Sequence, residues 1–127
     1  MVRFLLVCVA GAVGTGLRYL VSLVTPRLLG ATFPWGTLFI NVAGSFVLAA
    51  VMFLGTKTQV ISPTARAALG TGLCGGFTTY STFNYETMKL IEDKAFGLAA
   101  ANVAATLCAC LAAGYLGWAS ARLVFDH

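Results

Sequence analysis

Long apolar runs alternate with short polar clusters along this chain, and the runs are the length of a bilayer crossing rather than of a soluble helix. A membrane helix needs roughly 20 mostly apolar residues. Four segments meet that length, at about residues 3–24, 35–54, 64–90 and 96–124. "PRLLGATFP" from Pro26, "GTKTQVISP" from Gly55 and "IEDKA" from Ile91 separate them. The pattern predicts one all-α membrane domain of four transmembrane helices over residues 1–127. The connections are too short to hold a soluble site, so the chemistry is expected within the membrane.

The third segment breaks the pattern. "TGLCGGFTTYSTF", from Thr71 to Phe83, crowds glycines and hydroxyls into an otherwise uncharged run between Arg66 and Glu86. Adjacent glycines each cost about 1 kcal/mol in a helix relative to alanine. A helix interruption at membrane depth is tolerated only where the backbone is buried in protein or lines a polar cavity. The glycine pair at Gly75 and Gly76 is therefore expected to break the helix. Freed carbonyls suit a hard cation, and freed amides or a half-helix N-terminus suit an anion. Close packing of a small-residue helix is the competing explanation; the hydroxyls at Thr78, Thr79, Ser81 and Thr82 argue against it. Tyr80 and Phe83 share a face at i, i+3 and offer electropositive ring edges.

Other polar letters fall into stripes. Thr37, Asn41 and Ser45 repeat at i, i+4 on the second segment, and Asn102, Thr106 and Cys110 do so on the fourth. Interhelical hydrogen bonding explains most such residues. Asn41 stands out, because it sits mid-span and supplies two donors and an acceptor without charge. No carboxylate lies mid-membrane; Glu86, toward the end of the third segment, is the nearest. Neutral donors, ring edges and Arg18, late in the first segment, favour a small anion over a cation.

Composition narrows the classes further. The 127 residues are 59% hydrophobic and only 9% charged, against about a quarter charged in soluble domains. The eight basic residues are scattered and form no stripe of the kind that binds nucleic acid. Cys8, Cys74, Cys108 and Cys110 lie in apolar segments with no CxxC spacing, and are expected to be packing residues. His127 is the one histidine, which leaves histidine-based catalysis or metal binding without support. Residues 1–16 resemble a signal peptide, but the apolar run continues past them, so they are expected to open the first membrane helix. With four spans, Arg3, Lys57, Arg66 and Arg122 fall on one side, and Arg18, Arg27, Lys89 and Lys94 on the other. This balance offers the positive-inside rule nothing to act on, and insertion in both orientations is expected. Small residues Ala105, Ala109, Ala113 and Gly117 are expected to let helices approach closely in a dimer. "GTGL" recurs at residues 14–17 and 70–73, and "NVAGSF" is echoed by "NVAATL", a weak internal repeat.

"GTLFINVAGSF" and "TGLCGGFTTYSTFNYE", with "GLR" late in the first segment, resemble the signature segments of the Fluc (CrcB) fluoride channels, and the resemblance spans nearly the whole chain. It implies an antiparallel, dual-topology homodimer with two pores, embedded in the lipid of the cytoplasmic membrane. It implies a fluoride pathway matching Asn41, Tyr80, Phe83, Thr106, Cys110 and Glu86, to which the hydroxyls of Thr79, Ser81 and Thr82 and the guanidinium of Arg18 are candidate additions. It also implies a structural sodium ion held by the backbone carbonyls of Gly75 and Thr78. The chain departs from the family at Tyr80, where many relatives carry Phe, and at Cys110, where serine is common. The expected activity is passive, fluoride-selective export that lowers fluoride toxicity, with no enzymatic function. A four-helix exporter of the small multidrug class is the alternative, and a non-transporting membrane assembly subunit a third.

Overall fold

The computed structural model describes residues 1–58 and 60–125; Gln59 of the polar loop and the terminal His127 lie outside the described residues. The described chain is all-helical. In order, α1 covers Val2–Leu29, α2 Trp35–Thr56 and α3 Pro63–Arg66; a π-helix follows over Ala67–Cys74, then α4 over Gly75–Phe77, α5 over Tyr80–Glu92 and α6 over Phe96–Phe125. Three helices, α1, α2 and α6, are long and apolar enough to cross a membrane. The third expected span is present as residues 63–92 but is divided, so none of its pieces reaches that length.

Helix α1 runs past its expected end, through Pro26 to Leu29. A proline removes the bond its N–H would make to the carbonyl four residues back. Here neighbouring hydroxyls bond carbonyls of the preceding turn: Ser22 Oγ donates to the Arg18 carbonyl at 2.9 Å and Thr25 Oγ1 to the Val21 carbonyl at 2.7 Å. Gly30, at φ 83°, ends the helix in a conformation that only glycine adopts cheaply.

The glycine pair does not break the third helix. Gly75 and Gly76 are helical, and the break falls at Thr78 and Thr79, whose backbones are extended. The glycines serve close approach instead. A Cβ on Gly76 would strike the Gly11 carbonyl of α1, and one on Gly14 would strike the Leu73 carbonyl and come within 2.9 Å of the Phe77 nitrogen. One on Gly72 would lie 2.7 Å from the Val7 carbonyl oxygen. Backbone thus packs on backbone between α1 and the segment of residues 67–77, and the helical cost of glycine is offset by that contact. The preceding π-helix widens the turn, a distortion common near functional sites.

Two packed pairs form the body: α1 against the π-helix and α4, and α2 against α6 over the largest contact. Arg66 closes one end, its Nη1 donating to the Gly55 carbonyl at 3.0 Å near the terminus of α2. The small residues of α6 are used inside the protomer: Ala113 and Gly117 are buried, and a Cβ on Gly117 would overlap the Phe46 carbonyl of α2. Ala105 and Ala109 of the same stripe are only half-buried within the protomer. Leu and Val side chains are exposed along α1 and α6, which suits a lipid environment.

Candidate functional site: a polar groove at the helix break

The break sets the site. Asn41, on α2, faces Thr79 and pairs with its backbone twice: its Nδ2 donates to the Thr79 carbonyl at 3.0 Å, and its Oδ1 accepts from the Thr79 N–H at 2.8 Å. In an unbroken helix that N–H would close onto the Gly75 carbonyl. Thr79 also caps α5, its Oγ1 accepting from the Thr82 N–H at 3.2 Å. That second N–H would otherwise close onto the Thr78 carbonyl. Both carbonyls assigned to sodium by resemblance therefore have their usual helical donors diverted.

A groove of about 390 Å³ runs beside the break. Asn41, Thr78, Thr79, Tyr80, Phe83, Thr106 and Cys110 line it, so seven residues expected from α2, the third segment and α6 converge on one surface. Leu48, Leu107 and Leu111 supply its apolar part. Phe83 is buried, whereas Tyr80 is 78% exposed; their rings lie 5.7 Å apart and tilted by 55°. Thr106 is buried, and its Oγ1 has no hydrogen-bond partner within the protein. Such a group is costly unless an ion or water meets it. Ser45 lines the groove but spends its proton on the Asn41 carbonyl at 2.7 Å.

Other expected residues lie elsewhere. Thr82 and Glu86 line a larger cavity of about 580 Å³ at one end of the molecule, with Thr37, Tyr85 and Lys89. Thr37 Oγ1 donates to Glu86 Oε1 at 2.9 Å, while Oε2 is buried without a partner. Ser81 is exposed, its Oγ 3.3 Å from Thr79 Oγ1. Arg18 is half-buried on α1 and lines neither cavity. Gly75 is exposed and also outside the groove. The role of Thr37 as the carboxylate's partner was not foreseen, although the Thr37–Asn41–Ser45 stripe was the available signal.

The arrangement combines neutral donors with the N-terminus of α5, a 13-residue helix whose positive dipole end points at the break. No acidic side chain is among the groove's described lining residues. Such a surface attracts an anion without trapping it on a fixed cation.

Comparison with known proteins agrees with this chemistry. The family described as CrcB-like protein, Camphor Resistance (CrcB), matches residues 5–118. The chain belongs to the CrcB family. Among its relatives, a protein named fluoride-specific ion channel FluC from Anaeromyxobacter dehalogenans is 49% identical over 115 residues, covering 91% of each chain. A protein of the same name from Sorangium cellulosum is 48% identical over 122 residues, covering 96% of each. Another from Shewanella sediminis is 44% identical over 127 residues, covering all of this chain and 99% of the relative.

Proposed function

We propose that this protein is a passive, fluoride-selective ion channel, not an enzyme, that lets fluoride leave the cytoplasm across the cytoplasmic membrane and so lowers its toxicity. The observation that carries the reading is the groove: uncharged donors and an aromatic pair gathered at a helix break, in a chain whose relatives are named fluoride-specific channels.

Fluoride holds its water tightly, so a pore must exchange water for protein donors as the ion advances. Asn41 keeps one amide hydrogen beyond its bond to Thr79. Thr106 Oγ1 is unpaired at the groove, and Thr82 Oγ1 accepts from Thr79 Oγ1 at 3.0 Å, which leaves the Thr82 proton free toward the larger cavity. The Phe83 ring edge offers weak attraction, which suits an ion that must leave again. A succession of weak, neutral sites permits entry and release.

The pathway is completed by a second, antiparallel copy. Tyr80, Leu107 and Leu111 are exposed along the groove, so one chain supplies an open half-channel. The balanced basic residues support insertion in both orientations. The carbonyls of Gly75 and Thr78 fit a structural sodium ion: their helical donors are diverted, and carbonyl oxygen suits a hard cation. When bound, the ion would supply positive charge that offsets the converging carbonyl dipoles. The exporter alternative is not favoured, because no carboxylate is among the described residues that line the groove. Fluoride efflux from liposomes holding the purified protein tests the reading; liposomes that retain fluoride as empty ones do would overturn it.

A further inference from the structure

Asn102 belongs to neither cavity, yet it is 1% exposed and one of the two most deeply buried large side chains. An amide so buried is costly unless it is paired. Its Nδ2 donates to Thr87 Oγ1 at 2.9 Å, and that hydroxyl donates to the Phe83 carbonyl at 2.8 Å. The chain of bonds therefore runs from α6 through one threonine onto the backbone of the residue whose ring lines the groove.

Four attachments hold α5, one of them the bond from Thr37 of α2 to Glu86 at 2.9 Å. Asn41 grips the residue before its first turn. A tight turn joins its other end to α6, with the Ala95 N–H donating to the Leu90 carbonyl at 2.8 Å and Lys94 at φ 59°. Between them, Asn102 and Thr87 provide the hydrogen-bonded link from α6 to the middle of α5. Helix α5 makes limited contact with α2, so apolar packing there does little to restrain its rotation. Asn102 and Thr106 are one turn apart on the same face of α6. The first bonds Thr87, one turn after Phe83 on α5, and the second presents its unpaired hydroxyl to the groove that the Phe83 ring also lines.

We infer that Asn102 and Thr87 are positioning residues, which set the rotation of α5 and hence the place of the Phe83 ring relative to Thr106. The inference rests on the channel reading above. Rotation of α5 displaces the Phe83 ring more than its backbone, because the ring lies farther from the helix axis. The device thus governs ion passage more than folding.

The test compares the unaltered protein with Thr87→Val, Thr87→Ser, Asn102→Leu and the Thr87→Val/Asn102→Leu pair in liposomes. The same proteins carry 4-fluorophenylalanine at position 83 for fluorine NMR in nanodiscs. Thr87→Val keeps the side-chain shape and removes only the hydroxyl. Expected results are an assembled Thr87→Val protein, fluoride flux reduced about tenfold, and a broadened or shifted residue-83 resonance. The paired variant should lose little more than either single one, because the two act as one unit. Thr87→Ser should restore both flux and resonance. Unchanged flux and resonance in Thr87→Val overturns the inference, as does its failure to assemble, which would make the role structural. Additive losses in the pair also overturn it. Absence of flux from the unaltered protein with an intact residue-83 resonance overturns the channel reading instead.

Discussion

Asn41 and Thr79 are joined by a reciprocal pair of hydrogen bonds, 3.0 Å and 2.8 Å long, between a side-chain amide and a peptide group. The amide does for Thr79 what a neighbouring turn of helix would do, so the chain interrupts its helix without leaving a peptide unpaired. The same contact diverts an N–H from the Gly75 carbonyl. One side chain therefore makes the break, bares a carbonyl and still presents a spare donor to the groove.

Replacing Asn41 should weaken both structure and conduction. Asn41→Ala removes two part-buried bonds, each worth about 1 kcal/mol, and deletes the spare donor. The expected outcome is an assembled protein of reduced thermal stability, with fluoride efflux lowered at least about tenfold, the equivalent of 1.4 kcal/mol. Efflux equal to that of the unaltered protein would remove Asn41 from the pathway.

The two rings should behave differently. Tyr80 is largely exposed and Phe83 buried. Tyr80→Phe keeps the ring and is expected to retain near-normal flux. Phe83→Ile removes a ring edge from the groove and should lose most of it. A large change in Tyr80→Phe would put its hydroxyl in the ion path.

Glycine substitutions separate packing from conduction. Gly76→Ala forces a methyl group onto the Gly11 carbonyl, backbone that cannot swing aside. It should cost about 1–3 kcal/mol, the usual range for overpacking, and reduce the yield of assembled protein. Gly97→Ala, with open space around it, should assemble normally. Size-exclusion profiles in detergent distinguish the two, and equal profiles would contradict the close approach of α1 and α4.

Orientation is measurable with one added cysteine. The native Cys8, Cys74, Cys108 and Cys110 are first replaced, since Cys8 and Cys108 are exposed and would react. A cysteine added after the last residue should then be labelled from both sides of the membrane. Labelling from one side alone would refute dual topology.

Sodium should stabilise without being carried. Exchange of sodium for a bulky organic cation is expected to lower the melting temperature of the detergent-solubilised protein. Radioactive sodium should not accompany fluoride during efflux. Sodium efflux in proportion to fluoride would contradict a structural role.

Much of this was legible before the fold. Run length alone predicts the four spans, because a bilayer demands a fixed number of apolar residues per crossing. Polar letters at membrane depth are costly, so position alone marks Asn41 and the hydroxyls of Thr79, Ser81 and Thr82 as candidates, whereas Thr106 and Cys110 enter the pathway through the family resemblance. The existence of a break in the third helix followed from the same cost. Its location did not: propensity points to Gly75 and Gly76, yet only the packing of α1 against them reveals that these glycines admit backbone contact, and that Thr78 and Thr79 carry the break. Pairings across helices were equally hidden. Asn41 meets Thr79, Thr37 meets Glu86 and Asn102 meets Thr87 because of how α2 and α6 set their stripes against α5. A stripe of polar residues specifies a face, whereas the partner of that face depends on helix crossing and register, which are long-range properties. The small residues of α6 illustrate the same division. Their spacing predicts close approach, and the tertiary fold decides that α2 is what approaches Gly117.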